Sequence, residues 1–155
     1  FFATGDLGKA YGDPVWGNAF STQVIAQKGV DVLFQVAGGT GNGALDAACI
    51  KGIPAIGVDV DQFLSYPTAD KCIVTSAEKH LANAVSQSIA GISAGTAKGG
   101  IAKFDATNNG IGYSAFQNTT IKIPADVQGK LDAAIAAMKA GTLKTCPDKC
   151  GTWAP

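Results

Sequence analysis

The densest chemical signal in the sequence is Gly38-Gly39-Thr40-Gly41-Asn42-Gly43. It follows a β-branched run and precedes an apolar helical stretch, so its expected place is a strand's carboxyl end at a helix start. In open α/β sheets ligands bind at that edge, where loops splay and helix N-termini offer unpaired N–H groups. Asp59 follows Gly41 by 18 residues, a spacing at which an acid can hold ribose hydroxyls in dinucleotide sites. The full fingerprint fails, because it belongs in the first strand–helix turn of a domain and here a helix and a strand come first. A Walker A loop is excluded, since no Gly-Lys-Ser/Thr follows. The plainer alternative is a glycine-rich helix start that binds nothing.

Asp59-Val60-Asp61-Gln62 places two carboxylates one residue apart. In an extended segment they point oppositely, so one can face a cleft while the other is solvated or caps a turn. That is a poor acid–base pair. It is a good arrangement for accepting hydrogen bonds from vicinal sugar hydroxyls. Gly91-Ile92-Ser93-Ala94-Gly95 fits the G-x-S-x-G string. A nucleophile elbow needs a strand before the serine, and this serine ends a helix. The lone His80 precedes it, the wrong order for such a hydrolase, and reads as a surface or cap residue. Asn118-Thr119-Thr120 is a glycosylation sequon, informative only in a eukaryotic secretory setting.

Four cysteines remain: Cys49, Cys72, Cys146 and Cys150. Cys146 and Cys150 are spaced C-x3-C, which is not the thioredoxin spacing, and a zinc site would need further soft ligands. Two structural disulfides, 49–72 and 146–150, would fit an oxidising compartment. The alternative for Cys49 is a buried reduced thiol on an apolar helix face.

The elements that must position these residues follow from periodicity. Val15 to Lys28 is an amphipathic helix with Trp16, Phe20 and Val24 on one face, ended by Gly29. Val30 to Val36 reads as a buried strand, and Ala44 to Lys51 as a second helix closed by Gly52. Pro54 to Val58 and Cys72 to Thr75 read as further strands. Ala77 to Gly95 reads as a long helix carrying Leu81, Val85, Ile89 and Ile92. Strands alternating with helices across short loops indicate a parallel sheet covered on both faces. Beyond Gly95, Ile101 to Phe104 and Ile111 to Phe116 suggest two strands about an Asn109-Gly110 turn. Asn118 to Ile123 suggests one more, and Pro124 opens a helix that stops at Gly141.

Composition narrows the function classes. The 155 residues are 46% hydrophobic and 15% charged. Twelve lysines balance twelve acids; there is no arginine, and Glu78 is the only glutamate. A neutral, arginine-free surface argues against a nucleic-acid partner. No apolar run approaches the ~18 residues a membrane span needs. The first residue is Phe1, with no signal segment, so the expectation is a processed chain or a piece of a longer one.

Several strings together resemble one family. Tyr11-Gly12-Asp13-Pro14 with Gly17 is similar to the aromatic-x-Asp-Pro-x-x-Gly motif of the basic membrane protein (PnrA-like) family of nucleoside-binding ABC-transporter lipoproteins. Asp31 to Gly43 resembles that family's "ADVIFQVAGGTGNG", Ala55 to Gln62 its "AIGVDxDQ", Thr75 to Lys79 its "TSxxK", and Gly110 to Tyr113 its "GVGL". The resemblance implies a type I periplasmic binding protein, with two α/β lobes and the ligand held between them. This chain then resembles the second lobe, a three-layer αβα open, mostly parallel, flavodoxin-like sheet, with the first lobe and a lipid-anchored N-terminus upstream. Residues 1–100 would form the ligand-binding core, and 101–155 the C-terminal strands, helix and disulfide-clipped tail.

Carried over residue by residue, Tyr11 corresponds to the aromatic that stacks on the nucleobase. Gly38 and Gly39 correspond to the loop whose backbone approaches the ligand. Asp59 corresponds to the carboxylate on the ribose hydroxyls, and Lys79 to a lysine that reaches the cleft from a helix start and can pair with Asp59. The implied partners are a nucleoside, with a purine nucleoside favoured, and a membrane permease. Capture would be reversible and extracytoplasmic, with no catalytic residue, metal or cofactor. The alternative is a cytoplasmic nucleotide-binding enzyme or regulator using Gly38–Gly43. That reading calls for cations at the loop, and no lysine lies between Asp31 and Ile50.

Overall fold

A computed structural model describes residues 6–118, 120–143 and 145 of the chain. Asp13 opens the second helix: its carboxylate accepts from Trp16 N at 2.9 Å, and Pro14 occupies the first turn, where its missing N–H costs nothing. The elements in order are α1 (Leu7–Gly12), α2 (Pro14–Lys28), β1 (Leu33–Phe34), α3 (Gly38–Ile50), β2 (Ala55–Asp59) and α4 (Gln62–Ser65). Then come β3 (Ile73–Lys79), α5 (Leu81–Ser93), β4 (Ile111–Tyr113) and α6 (Ala125–Lys139). The sheet order is β1-β2-β3-β4, and β1–β2 and β2–β3 are parallel. This is the open, mostly parallel α/β sheet that the alternation indicates.

Two compact units divide the chain. One runs to His80 and includes Tyr113–Ile123; the other holds Leu81–Gly112 and the residues from Pro124 onward. The core of the first unit is Leu45 and Ala48 of α3, Ala55 of β2, Ala69 and Ile73, with Leu33, Ile53, Phe63 and Tyr66 packed around it. Burial, and then the Asp46 carboxylate that accepts its hydroxyl at 2.9 Å, push the Tyr66 phenol above its ordinary range. In the second unit, Asp105 caps the turn Ala106–Asn108 through Thr107 N, and Asn83 of α5 donates to the carbonyls of Asn108 and Asn109. The apolar stripe Leu81, Val85, Ile89 and Ile92 is present on α5, and all four are exposed.

Several local expectations are corrected. The helix predicted over Ala77 to Gly95 begins at Leu81, because Ala77 to Lys79 extend β3. The helix predicted from Ala44 begins at Gly38, so the glycine string forms its first turns. The strand predicted over 30–36 is two residues long, because its flanks have no ladder partner beyond β2. No strand forms at Ile101 to Phe104: Gly110 packs directly on Phe104, and Asn109 at φ 58° turns the chain after a short 3-10 segment. Asn118 to Ile123 is not a strand among the described residues. Instead the Asn118 amide donates to the carbonyls of Asp70, Lys71 and Ile73.

Cys49 and Cys72 are joined by a disulfide between the end of α3 and the start of β3, across a sequence separation of 23. The 146–150 pairing lies outside the described residues. Closing a loop of this length restricts the unfolded chain by roughly 3 kcal/mol in the loop-entropy description. Reduction with dithiothreitol is therefore expected to lower the urea midpoint of the wild type. It should leave the double variant Cys49→Ala/Cys72→Ala unshifted if this bridge is the one that matters. An unshifted wild type would contradict a stabilising bridge.

Candidate functional site

Asp59 ends β2, and its neighbour across the ladder is Glu78 of β3. One residue further on, Lys79 ends β3, and its Nζ lies 2.7 Å from Asp59 Oδ1. Both side chains remain open to solvent, 46% for Asp59 and 64% for Lys79. The pair therefore stands at the carboxyl edge of two adjacent parallel strands. Lys79 reaches it from a strand end and not from a helix start. A pair this exposed contributes little to stability, about 0–1 kcal/mol. Its significance is placement: a charged acceptor and a charged donor side by side at the ligand edge of an open sheet.

Asp59 is also one of two described non-glycine residues with positive φ, at 71°. Val60 N donates to Val58 O at 2.8 Å across it. That makes Asp59 the centre of a γ-turn of the rare positive-φ form, a strained conformation. Asp61 does something different, and since Asp59 sits in a turn and not in extended chain, the γ-turn and not strand alternation separates the two. The Asp61 carboxylate caps α4 by accepting from Phe63 N at 3.1 Å, and it also accepts from Gln117 Nε2.

Gly38 and Gly39 sit beneath the α1–α2 turn. A Cβ on Gly38 would lie 3.1 Å from the Tyr11 carbonyl oxygen, and one on Gly39 3.3 Å from it; Gly38 also has φ 53°. So glycine is needed at position 38 both for its dihedral and for this approach. Thr40 fixes the turn. Its hydroxyl donates to Ala10 O and accepts from Asp13 N, each at 2.8 Å, which brackets Tyr11 on both sides. Tyr11 itself is 52% exposed. The structure thus gathers Tyr11, Gly38 and Gly39 in one cluster, beyond the end of β1. Asp59 and Lys79 form a second cluster, at the ends of β2 and β3.

Sequence reasoning missed the network between the clusters. Gln35, 5% exposed, donates from Nε2 to Gln62 Oε1 at 2.9 Å and accepts from Ala37 N at 3.0 Å. Gln62 Oε1 also accepts from Val58 N at 2.9 Å, and its Nε2 donates to Asn42 Oδ1 at 3.1 Å. Gln62 N donates to Ser76 Oγ at 3.0 Å, and Ser76 N to Ser114 Oγ at 2.8 Å. The available signal was Gln35 itself, a polar residue in an apolar strand run, which burial obliges to find partners. Among the described residues no buried side-chain polar atom lacks one.

A groove of about 350 Å³ runs beside α2 and β1, lined by Trp16, Phe20, Val24, Val32, Phe34 and Val36 among others. It has no charged lining residue, and neither cluster lines it. Hydroxyl-rich ligands are better served at the sheet edge, where Asp59 and Lys79 stand.

Three solved structures share this fold. A protein described as a transcriptional activator of the comK gene, from Bacillus halodurans, matches with TM-score 0.74 and 18% identity, over 88% of this chain and 46% of its own. An ABC transporter solute-binding protein from Conexibacter woesei gives 0.68 and 22%, over 88% and 43%. One from Aeropyrum pernix gives 0.70 and 22%, over 90% and 46%. The chain spans less than half the length of each. The family model of the PnrA-like ABC transporter substrate-binding proteins matches residues 8–137, from α1 through most of α6 and including both clusters. The chain belongs to that family.

Proposed function

We propose that the chain is the second lobe of an extracytoplasmic, lipid-anchored solute-binding protein that captures a nucleoside, purine nucleosides above all, and delivers it to an ABC permease. In this reading the other lobe closes over the ligand, and contacts from both lobes select the closed state. There is no chemical step. The observation that carries the reading is the Asp59–Lys79 pair at the sheet's carboxyl edge. A carboxylate there accepts from two vicinal ribose hydroxyls, and the adjacent lysine donates to ring or sugar oxygens. Tyr11 offers a ring face for base stacking, held over glycines that leave the backbone bare. An uncharged ligand needs no electrostatic funnel, which agrees with a formal net charge of zero. The Cys49–Cys72 bridge suits an oxidising, extracytoplasmic setting.

Calorimetry on the native polypeptide that carries these residues tests this, with inosine, guanosine, adenosine and free ribose as titrants. The nucleosides are expected to bind, and ribose to bind about 10–100-fold more weakly, the worth of one stacked base. No heat from any nucleoside would overturn the ligand class.

A further inference from the structure

We propose that Gln62 is the positioning residue for Asp59, holding the strained turn that presents its carboxylate; the functional half of this claim rests on the ligand reading above. A positive-φ γ-turn at a residue with a side chain persists only where its surroundings over-determine it. Here the surroundings are specific. The residue before Asp59 gives its N–H to Gln62 Oε1 at 2.9 Å, and the Gln62 backbone is pinned to Ser76 Oγ on β3 at 3.0 Å. Gly57 leaves the space: a Cβ there would collide with Gln62 Cβ and Oε1, both 2.8 Å away. Both acceptor sites of the Gln62 amide are taken, by Val58 N and Gln35 Nε2. Through Gln35 the same amide reaches Ala37 N, next to Gly38, and through Asn42 it reaches the first turns of α3. Gln62 thus ties the Asp59 turn to the Gly38–Gly39 start of α3 without itself standing in either cluster.

The test is a double-mutant cycle on the native polypeptide, with Gln62→Met and Gln62→Glu made alone and with Asp59→Gly. Without ligand, Gln62→Met is expected to lower the urea midpoint clearly in the parent and distinctly less in the Asp59→Gly background, where a glycine turn needs no restraint. Equal falls in both backgrounds would overturn the proposal and leave Gln62 a packing residue. With inosine and hypoxanthine as probes, Gln62→Met should weaken inosine about 10-fold or more and hypoxanthine less than about 3-fold, a coupled pair's range. Gln62→Glu keeps acceptors for Val58 N and Gln35 Nε2 and should recover most of that discrimination. Equal losses for both probes would overturn the role toward the sugar. If the parent binds neither probe, the ligand reading fails, and the ligand-free cycle still decides whether Gln62 holds Asp59. Should Gln62→Met not fold, Ser76→Ala removes the acceptor that pins the Gln62 backbone and runs the same cycle.

Discussion

Gly43→Ala is expected to destabilise the chain by about 4 kcal/mol, the upper end for overpacking a rigid site. Intrinsic propensity argues the other way, since alanine in a helix interior is better than glycine by about 1 kcal/mol. Geometry decides the sign. A Cβ at Gly43 would run into the Pro14 carbonyl group and lie 2.8 Å from Asn18 N, all backbone atoms of α2. Backbone cannot rotate aside as a side chain can, so α2 must move away from α3. The contact is reciprocal, because a Cβ at Gly17 of α2 would collide with the Thr40 carbonyl of α3. Separating the helices would also strain the Thr40 clamp on Ala10 and Asp13, and with it the placement of Tyr11. Urea unfolding followed by far-UV circular dichroism reads the effect. Gly129→Ala is the matched control: this glycine lies inside α6 with nothing within 4 Å of its Cβ position. Propensity alone should then make that variant more stable, by up to about 1 kcal/mol. A Gly43→Ala protein as stable as its parent would mean that the two helices do not approach this closely.

The same pair of glycines shows what was legible in the sequence. The helix from Val15, its Gly29 stop and the apolar run of β2 were readable locally, because helical spacing, glycine stops and short apolar runs are short-range signals. The place of Asp59 at the end of its strand was readable too. Other features were settled by partners distant in sequence. Ser76-Ala77-Glu78-Lys79 looks like a capped helix start, yet it extends β3, because pairing with Gly57, Val58 and Asp59 outweighs the local preference. Lys79 therefore arrives at Asp59 along a strand. The glycine string read as an open loop because glycine disfavours helices. In the fold its glycines enter α3, because α2 and Gln35 occupy the space that side chains would need. Gln35 and Gln62 are 27 residues apart, and only the parallel β1–β2 pairing brings them together.

Asp59→Gly should separate stability from binding: little change in the first, a large loss in the second. Relief of the positive φ is worth about 1–2 kcal/mol for a residue with a Cβ. Against this stand the extra unfolded-state entropy of glycine, about 0.5–1 kcal/mol, and the loss of an exposed ion pair with Lys79, about 0–1 kcal/mol. The terms nearly cancel, so the variant should lie between about 1 kcal/mol less stable and about 1.5 kcal/mol more stable than the parent. Binding should fall far more. Two charge-assisted hydrogen bonds to ribose hydroxyls, at about 1.5–3 kcal/mol each, amount to a loss of about two to four orders of magnitude in nucleoside affinity. The free base, which makes neither bond, should change little. Asp59→Asn is the informative intermediate, because asparagine tolerates positive φ and keeps one acceptor while losing the charge. It should hold the turn and lose less affinity than the glycine variant. Matched urea curves and calorimetric titrations with inosine and hypoxanthine read both quantities on the same samples. Unchanged inosine affinity in the glycine variant would remove Asp59 from the binding site, and a stability loss well beyond about 1 kcal/mol would show that the turn is not strained. A residue that costs the fold something and gives the ligand its two hydroxyl contacts should show little change in the first measurement and a large loss in the second.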